Sequence, residues 1–245
     1  MSKLIEVKNV WLKSLTNTRV KDINISINIG DKIALLGKSG SGKTTLLHII
    51  NGSLRPTTGE VILNGKDIRE CSDKNMRKIG SLWQDLRLIE ELTVGQNINC
   101  GALGRRSVGW AIANLFGLIE HRECLKCLNA VGLSNNIVNM NIEKLSSGQK
   151  KRVAIARLLR QESDLIVADE PLSNLDPTLI TSILQILVGE QLDQSLSNTH
   201  SSIISLHRPE LIYKFNRVIG LKDGRIAVDS DTLSVTKVEI SNLYC

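Results

Sequence analysis

The stretch "GKSGSGKT", Gly37 to Thr44, decides how the rest of this chain is interpreted. It fits the pattern G-x-x-x-x-G-K-[ST]; the apolar run "KIALLG" leads into it, and the helical pattern "KTTLLHIING" leads out of it. In this setting the glycines let successive backbone N–H groups surround phosphate groups, while Lys43 reaches the terminal ones and the Thr44 hydroxyl binds Mg²⁺. A glycine-rich turn with a surface lysine is the alternative, but strand, loop and helix all agree with a phosphate loop. The stretch therefore predicts a phosphate-binding α/β fold.

The composition limits the class of protein. The chain has 245 residues, of which 42% are hydrophobic, enough for one large α/β domain or a domain with an insertion. Its net charge of +6 fits a phosphate-bearing ligand, a nucleic acid or an anionic membrane surface, and does not choose among them. No apolar run reaches the roughly 20 residues that span a bilayer, and "MSKLIEVKNV" lacks the layout of a secretory signal. We therefore expect a cytoplasmic protein.

Patterns on either side of the phosphate loop predict strands in the first third of the chain and helices in the middle. Alternating isoleucines in "INISINI", residues 23–29, indicate a half-buried antiparallel strand, and "GEVILNGKDI" indicates a hairpin. Beyond residue 85 the pattern is helical. Cys124 and Cys127 form a CxxC there, which we expect to pack inside a helix because no second pair stands at metal-binding spacing.

After the helical stretch the α/β pattern returns, with buried strands in "DLIVAD" and "SIISL" and a closing hairpin in "RVIGLKDGRIAV". We therefore predict a core in two parts, residues 1–84 and 161–245. A helical subdomain, residues 85–160, separates the two parts.

Two carboxylates end the strand "LIVADE", Leu165 to Glu170. Ligands of α/β sheets gather at the carboxyl ends of strands, so Asp169 can hold Mg²⁺ while Glu170 faces a water that attacks a γ-phosphate. An acidic pair can also cap a loop, but the phosphate loop in the same chain favours the catalytic interpretation.

His207 and Gln84 are weaker candidates. His207 ends the strand "SIISLH", where a ring nitrogen could reach the γ-phosphate and the attacking water, although a lone histidine is more often structural. Gln84 in "SLWQD" could bridge Mg²⁺ and the water, or it could be an ordinary polar residue at a domain junction. Spacing alone leaves both roles open.

The stretch "LSSGQKKR", residues 145–152, begins a helix with the unfavourable sign of charge. A helix amino terminus is partially positive, so Lys150, Lys151 and Arg152 in its first turns call for a nearby anion. A solvated basic face is the alternative.

This stretch resembles the signature motif of ATP-binding cassette (ABC) ATPases. The order of phosphate loop, glutamine, signature, "LIVADE", "SNLD" and histidine is similar to that family across nearly the whole chain. The resemblance implies a P-loop NTPase fold with a central, mostly parallel sheet, an antiparallel β subdomain and an inserted helical subdomain. It also implies a head-to-tail pair of chains, in which Ser146 and the N–H of Gly148 donate to ATP held by the other copy. Asp176 would lie in the loop that links the two sites.

The motifs and the resemblance together predict a site for ATP and Mg²⁺. Glu170 would polarise the water, and His207 and Gln84 would position it. Thr44, Gln84 and Asp169 are expected to bind the metal. The residues expected to contact ATP are Gly37, Lys38, Ser39, Gly40, Ser41, Gly42, Lys43, Thr44, Thr45, Ser146, Ser147, Gly148, Gln149 and Asp176.

Three positions depart from the family pattern. Ser147 stands where the family usually has a glycine, and Lys38 replaces a frequent proline, with a side chain that can point outward. An aromatic residue that would stack on adenine is missing from its usual place, Ser14 or Leu15, and Trp11 is the nearest one.

Resemblance also suggests the biological setting. "NINCGALGRRSVGWAIANLFGL" and "ISLHRPELIYKFNRVIGLKDGRI" are similar to the ATP-binding subunits of phosphonate importers. The expected partners are a second copy, a membrane permease gripped near residues 84–104 and, indirectly, a solute-binding protein, at the cytoplasmic face of the inner membrane.

Alternatives to this function stay open. The solute could be phosphite, methionine or a polar amino acid, and the chain could instead be a regulatory module that binds ATP without turnover. A nucleic-acid partner is disfavoured, because basic residues are scattered and aromatics make up 3% of the chain.

Overall fold

A computed structural model describes residues 2–13, 18–117, 120–173, 175–190 and 200–245. Within these ranges the strands and α-helices follow one another in this order: β1 Lys3–Lys13, β2 Thr18–Asn28, β3 Lys32–Leu36, α1 Lys43–Ile50, β4 Thr58–Leu63, β5 Lys66–Asp67, α2 Asp73–Met76, β6 Ile79–Leu82, α3 Val94–Cys100, α4 Val108–Leu115, α5 His121–Ala130, α6 Ser147–Gln161, β7 Leu165–Ala168, α7 Pro177–Leu187, β8 Ser201–Ser205, β9 Arg217–Lys222, β10 Arg225–Asp231 and α8 Lys237–Asn242.

The chain divides into two compact units. The first comprises Met1–Ser81, Leu165–Pro171 and His200–Cys245, and the second comprises Leu82–Asp164 and Leu172–Thr199. The functional division into residues 1–84, 85–160 and 161–245 stays a prediction. Across the described ranges, none of the helices combines the length and the apolar character that crossing a bilayer requires.

A six-stranded sheet with the order β10-β9-β3-β8-β7-β6 forms the centre of the first unit. β3 pairs in parallel with both β8 and β9, and β7 pairs in parallel with β8. All residues of β7 and β8 are buried, as expected for strands covered on both faces, and β7 is accordingly apolar throughout. The buried strands predicted from "KIALLG", "DLIVAD" and "SIISL" are confirmed, and so is the parallel pairing expected for the first of them.

A second sheet of the first unit is antiparallel, with the order β2-β1-β4-β5. Ile23, Ile25 and Ile27 of β2 are buried on one face of this sheet, while the residues between them are exposed or half-buried. Asn64 and Gly65 connect β4 to β5, and both have positive φ, which is typical of a tight two-residue hairpin turn. The strand predicted from the alternating isoleucines and the hairpin predicted from the Asn64-Gly65 turn are both confirmed.

Helices α3 to α7 form the second unit, and a buried polar cluster connects four of them. Asn99 of α3 donates to Asn114 of α4 at 3.1 Å, and the Cys124 thiol of α5 donates to Asn99 Oδ1 at 2.9 Å. Arg160 of α6 lies 3.4 Å from the same Asn99 oxygen through Nε, and its guanidinium also pairs with Glu120. These side chains therefore fix the register of α4 against its neighbours.

The CxxC pair lies in α5, as its helical pattern predicted. Burial raises the pKa of Cys124 to about 12 and that of Cys127 to about 11. Both thiols therefore stay protonated at neutral pH and behave as small apolar side chains.

We expect Arg160→Ala to destabilise the second unit by about 1–3 kcal/mol, because it removes a buried donor to Asn99 and Glu120, although Cys124 and Arg106 still donate to these two residues. Denaturant-induced unfolding would measure the loss. Arg122→Ala is the matched control, since Arg122 is exposed on α5 and its replacement should cost less than about 0.5 kcal/mol. Equal stability of the two variants would contradict the structural role of the cluster.

Candidate nucleotide site

The phosphate loop follows β3 and leads into α1. Gly37 and Gly42 have φ of 143° and 107°, a backbone conformation that residues with a Cβ rarely adopt. A Cβ at Gly37 would lie 2.3 Å from the Leu221 carbonyl oxygen, and one at Gly42 would lie 2.8 Å from the Arg19 carbonyl oxygen. The loop can therefore take this shape only with glycine at both positions.

Lys43, the first residue of α1, folds back over the loop. Its ammonium group donates to the carbonyl oxygens of Gly37 at 2.7 Å and Lys38 at 3.2 Å. Burial lowers the pKa of Lys43, while the charges of Glu170 and Asp169 act in the opposite direction. The ammonium group is thus held at the centre of the loop, close to two carboxylates.

Thr44 and Asp169 meet at the carboxyl edge of the central sheet. The Thr44 hydroxyl donates to Asp169 Oδ2 at 2.7 Å, and Asp169 is buried. A hydroxyl and a carboxylate oxygen are ligands that Mg²⁺ prefers. Among the described residues, no group of three or more His, Cys, Asp or Glu side chains could hold a metal ion. The Thr44–Asp169 pair suits Mg²⁺ because this ion is usually bound by one or two carboxylates and takes its other ligands from substrate phosphates and water.

Glu170 and His207 lie side by side. Glu170 Oε1 is 2.5 Å from His207 Nε2, a distance at which the ring N–H donates to the carboxylate. The Glu170 carboxylate is mostly buried, whereas more than half of the His207 side chain is exposed. Glu170 also has a positive φ of 50°, a conformation that clusters at functional sites.

Ser205, which the sequence reasoning missed, connects the two carboxylate residues. Its hydroxyl donates to Asp169 Oδ1 at 2.6 Å and accepts from the backbone N–H of Glu170 at 2.8 Å. Ser205 is completely buried at the end of β8. A serine in the apolar run "SIISL", next to the histidine, was the available signal.

One buried hydroxyl in the loop also fits a phosphate ligand. Ser41 Oγ is buried and makes no hydrogen bond to any described residue, although such groups are normally paired. Together with the Lys43 ammonium and the Thr44–Asp169 oxygens, it forms a donor and ligand set that fits a nucleotide phosphate with Mg²⁺.

The signature residues lie at the start of α6, in the second unit. Ser146 is the N-cap: its oxygen accepts from the Gln149 N–H at 3.3 Å, and Gln149 Oε1 accepts from the Ser146 N–H at 2.9 Å. Ser147 and Gly148 form the first helical turn, where backbone N–H groups are available to an anion.

The basic residues of α6 have partners inside the second unit. Lys151 is buried and donates to the carbonyl and hydroxyl oxygens of Ser173 at 2.7 and 2.6 Å. Arg152 donates to the Gly132 carbonyl oxygen at 2.9 Å. We expected an external anion to offset the positive charges of these residues. Oxygen atoms of Ser173 and Gly132 already accept hydrogen bonds from Lys151 and Arg152 and so stabilise part of that charge.

Asp176 and Gln84 also belong to the second unit. Asp176 is the N-cap of α7, where its carboxylate accepts from the Thr178 hydroxyl at 2.6 Å and N–H at 2.8 Å, and these bonds lower its pKa. Gln84 lies two residues beyond β6. The structure thus brings the phosphate loop, Asp169, Glu170 and His207 together in one unit, while the roles of Gln84, Ser146–Gln149 and Asp176 beside ATP stay predictions.

The position expected for an adenine-stacking residue, Ser14 or Leu15, lies outside the described residues. Trp11 precedes it in β1, and two cations lie over its ring: the Arg225 guanidinium is 5.6 Å and the Lys13 ammonium 5.8 Å from the ring centroid. The Trp11 ring is therefore already engaged by side chains of its own unit.

Comparison with curated proteins finds relatives of matching length. The phosphonates import ATP-binding protein PhnC 1 of Nostoc sp. is 34% identical over 247 residues, covering 98% of this chain and 91% of that protein. PhnC 2 of Halalkalibacterium halodurans is 34% identical over 230 residues and covers 92% of each chain.

Solved structures and a family model are also similar to this chain over most of its length. The dimeric structure of MJ0796, a bacterial ABC transporter cassette, has a TM-score of 0.80 at 27% identity and covers 93% of this chain and 98% of that chain. For cbiO1 from Clostridium perfringens, part of the transporter complex cbiONQ, the TM-score is 0.75 at 28% identity, with 94% and 89% covered. These likenesses confirm the predicted cassette fold. The family model described as ABC transporter matches residues 20–173, and the chain therefore belongs to the ABC transporter family.

Proposed function

We propose that this chain is the ATP-hydrolysing subunit of an importer that takes up phosphonates through a separate permease. As a cassette of this family, it is an ATPase coupled to transport. The observation that carries the proposal is the meeting of the phosphate loop, Asp169, Glu170 and His207 at one edge of the central sheet. The solute is proposed from the relatives named for phosphonate import, which match nearly the whole chain.

Hydrolysis requires a polarised water and stabilisation of charge on the transferring phosphoryl group. Glu170 accepts a hydrogen bond from the water and acts as the general base that takes its proton. His207 fixes the orientation of the Glu170 carboxylate through their 2.5 Å contact. The Lys43 ammonium and the loop N–H groups stabilise charge on the phosphate oxygens. Mg²⁺, when held by Thr44 and Asp169, supplies further charge neutralisation there.

Ser205 contacts both the proposed metal ligand, Asp169, and the proposed general base, Glu170. One hydroxyl fixes the Asp169 carboxylate that faces Thr44 and, at the same time, the backbone of Glu170. A metal ligand and a general base are therefore positioned by a single side chain on β8, in the way that outer partners orient the ligands of metal sites.

A second copy completes the proposed site. The start of α6 offers exposed side chains at Ser146 and Ser147 and the N–H groups of its first turn. A helix amino terminus binds phosphate through such groups, so we assign this end of α6 to the ATP held by the partner copy. ATP would close the pair of chains and hydrolysis would reopen it.

The permease has a suitable docking surface on α4. Val108, Ile112 and Leu115 repeat at helical spacing and are more than half exposed, and Phe116, directly after the helix, is 81% exposed. Exposed apolar surfaces of this kind mark interaction sites. We propose that this α4 surface, Val108 to Phe116, receives a cytoplasmic helix of the permease and holds the chain at the cytoplasmic face of the membrane. This location differs from residues 84–104, where the resemblance to the family led us to expect the permease.

Uptake of radiolabelled methylphosphonate tests the function directly. In cells that carry this chain and its permease, we expect uptake with the native chain and none with Glu170→Gln. ATP hydrolysis by Glu170→Gln should fall by at least about 100-fold, because the general base is lost. Glu143→Gln, at an exposed position of the second unit, is the control. Uptake of phosphite or methionine in place of methylphosphonate would overturn the solute, and unchanged ATP turnover in Glu170→Gln would overturn the assigned base.

Ser205→Ala should lower kcat for ATP hydrolysis by about 10- to 100-fold, since Asp169 and Glu170 lose their shared partner. Ser202→Ala is a matched control in the same strand: Ser202 is equally buried, but its hydroxyl has no hydrogen-bond partner among the described residues. Steady-state phosphate release would compare the two variants. An equal effect of both would show that Ser205 contributes packing alone.

Phe116→Asp should reduce binding of the chain to its permease by about tenfold or more, because an apolar anchor is replaced by a charge. ATP hydrolysis by the isolated chain should change by less than about twofold, since Phe116 is remote in sequence from every site motif. Leu233→Asp, at a fully exposed position of the first unit, is the control. Normal permease binding by Phe116→Asp would exclude the α4 surface as the docking site.

A further inference from the structure

Helix α4, which carries the proposed docking surface, is scarcely buried in its own unit. The structure describes every residue of this helix, and among them only Asn114 is buried. Val108, Ile112 and Leu115 are exposed. A helix is usually held in a protein by burial of its apolar face, and the exposed face of α4 contributes no such burial. The orientation of α4 therefore depends strongly on its hydrogen bonds.

Gln96 of α3 fixes the carboxyl end of α4. Its Nε2 group donates to the carbonyl oxygens of Asn114 at 2.8 Å and Leu115 at 3.1 Å, and Gln96 is only 8% exposed. These carbonyls belong to the last turn of α4, whose oxygens have no partner within the helix itself. In return, Asn114 Nδ2 donates to the Gln96 carbonyl oxygen at 3.3 Å. The end of α4 is thus attached to α3 directly before the exposed Phe116.

The other end of the Gln96 side chain is fixed as well. Its Oε1 accepts from the Thr93 N–H at 2.9 Å, and Thr93 Oγ1 accepts from the Gln96 N–H at 3.3 Å, which together form the capping box of α3. The reversed amide would place its NH₂ group against the Thr93 donor and its oxygen against the α4 carbonyls. The contacts at both ends therefore require the same orientation of the amide, with Nε2 facing α4.

The start of α3 is a firm support for this side chain. The Val94 N–H donates to the Met140 carbonyl oxygen at 2.9 Å, and the Gly95 N–H donates to the Val138 carbonyl oxygen at 2.8 Å. A surface that is held in its binding orientation binds its partner more tightly, because the apparent Kd rises as the binding-competent fraction falls. Contacts that hold α4 on α3 therefore act on the affinity of the α4 surface for its partner.

We propose that Gln96 is a positioning residue for permease binding: it holds the α4 surface, Val108 to Phe116, in the orientation that a helix of the permease contacts. This inference rests on the proposed function, which assigns the α4 surface to the permease. Gln96 is buried, so it contributes through the orientation of α4 and not through a contact of its own with the permease.

Gln96→Glu tests the proposal by exchanging one group. The variant keeps an oxygen for the Thr93 N–H, but it replaces the donor to α4 with an oxygen that faces two carbonyls. We expect the affinity of the chain for membrane vesicles that contain its permease to fall about tenfold, since a buried donor is lost. Gln185→Glu makes the same exchange at a half-buried position of α7, and as the control it should change this affinity by less than about twofold.

Thr93→Ala separates the hold on α4 from the capping of α3. It removes the hydroxyl that accepts from the Gln96 N–H, and it leaves the Gln96 Nε2 group and the Thr93 N–H in place. We expect this variant to bind the permease within about twofold of the native chain. An equal loss of affinity in Thr93→Ala and Gln96→Glu would show that Gln96 only stabilises α3, and would overturn the positioning role.

Hydrogen exchange of the isolated chain gives a readout that does not depend on the permease. The Phe116 N–H donates to the Ala113 carbonyl oxygen at 3.1 Å, so its exchange rate reports on the end of α4. This amide should exchange at least about tenfold faster in Gln96→Glu than in the native chain or in Gln185→Glu. Native exchange together with native permease affinity in Gln96→Glu would make the proposal wrong.

Failure of the proposed function gives a different result. If Phe116→Asp binds the permease normally, the α4 surface is not the docking site, and Gln96 has no role in permease binding. Faster exchange at Phe116 in Gln96→Glu would then still show that Gln96 holds α4 on α3.

Discussion

Parallel pairing of β3 with β8, and of β8 with β7, is the constraint on which the candidate site depends. Parallel neighbours end at the same edge of a sheet, so the phosphate loop, the Asp169–Glu170 pair and His207 meet there although they are far apart in sequence. Parallel strands also require long crossover connections. In the sequence, the two segments of the second unit form such connections: one joins β6 to β7, and the other joins β7 to β8.

Local patterns were enough to predict most of the fold. Gly37 and Gly42 in the phosphate loop, like Asn64 and Gly65 in the β4–β5 turn, have positive φ, a backbone requirement that acts over a few residues. Buried strands were equally visible as apolar runs. The order of motifs then identified the family, which fixed the topology.

Contacts between distant segments were not predictable from the same patterns. Ser205 looks like an ordinary polar residue until β8 places it between Asp169 and Glu170. Lys151 was interpreted as a charge awaiting an external anion, yet it donates to Ser173, which lies 22 residues further along the chain. In each case the partner is set by tertiary packing, and a single sequence carries no record of it.

The approach of Gly37 to Leu221 has a consequence for β9. A Cβ at Gly37 would lie 2.3 Å from the Leu221 carbonyl oxygen, so the phosphate loop packs directly against the backbone of a strand that carries none of the site motifs. β9 also pairs in parallel with β3, the strand that leads into the loop. A change that displaces the backbone of β9 would therefore alter the loop without replacing any residue expected to contact ATP.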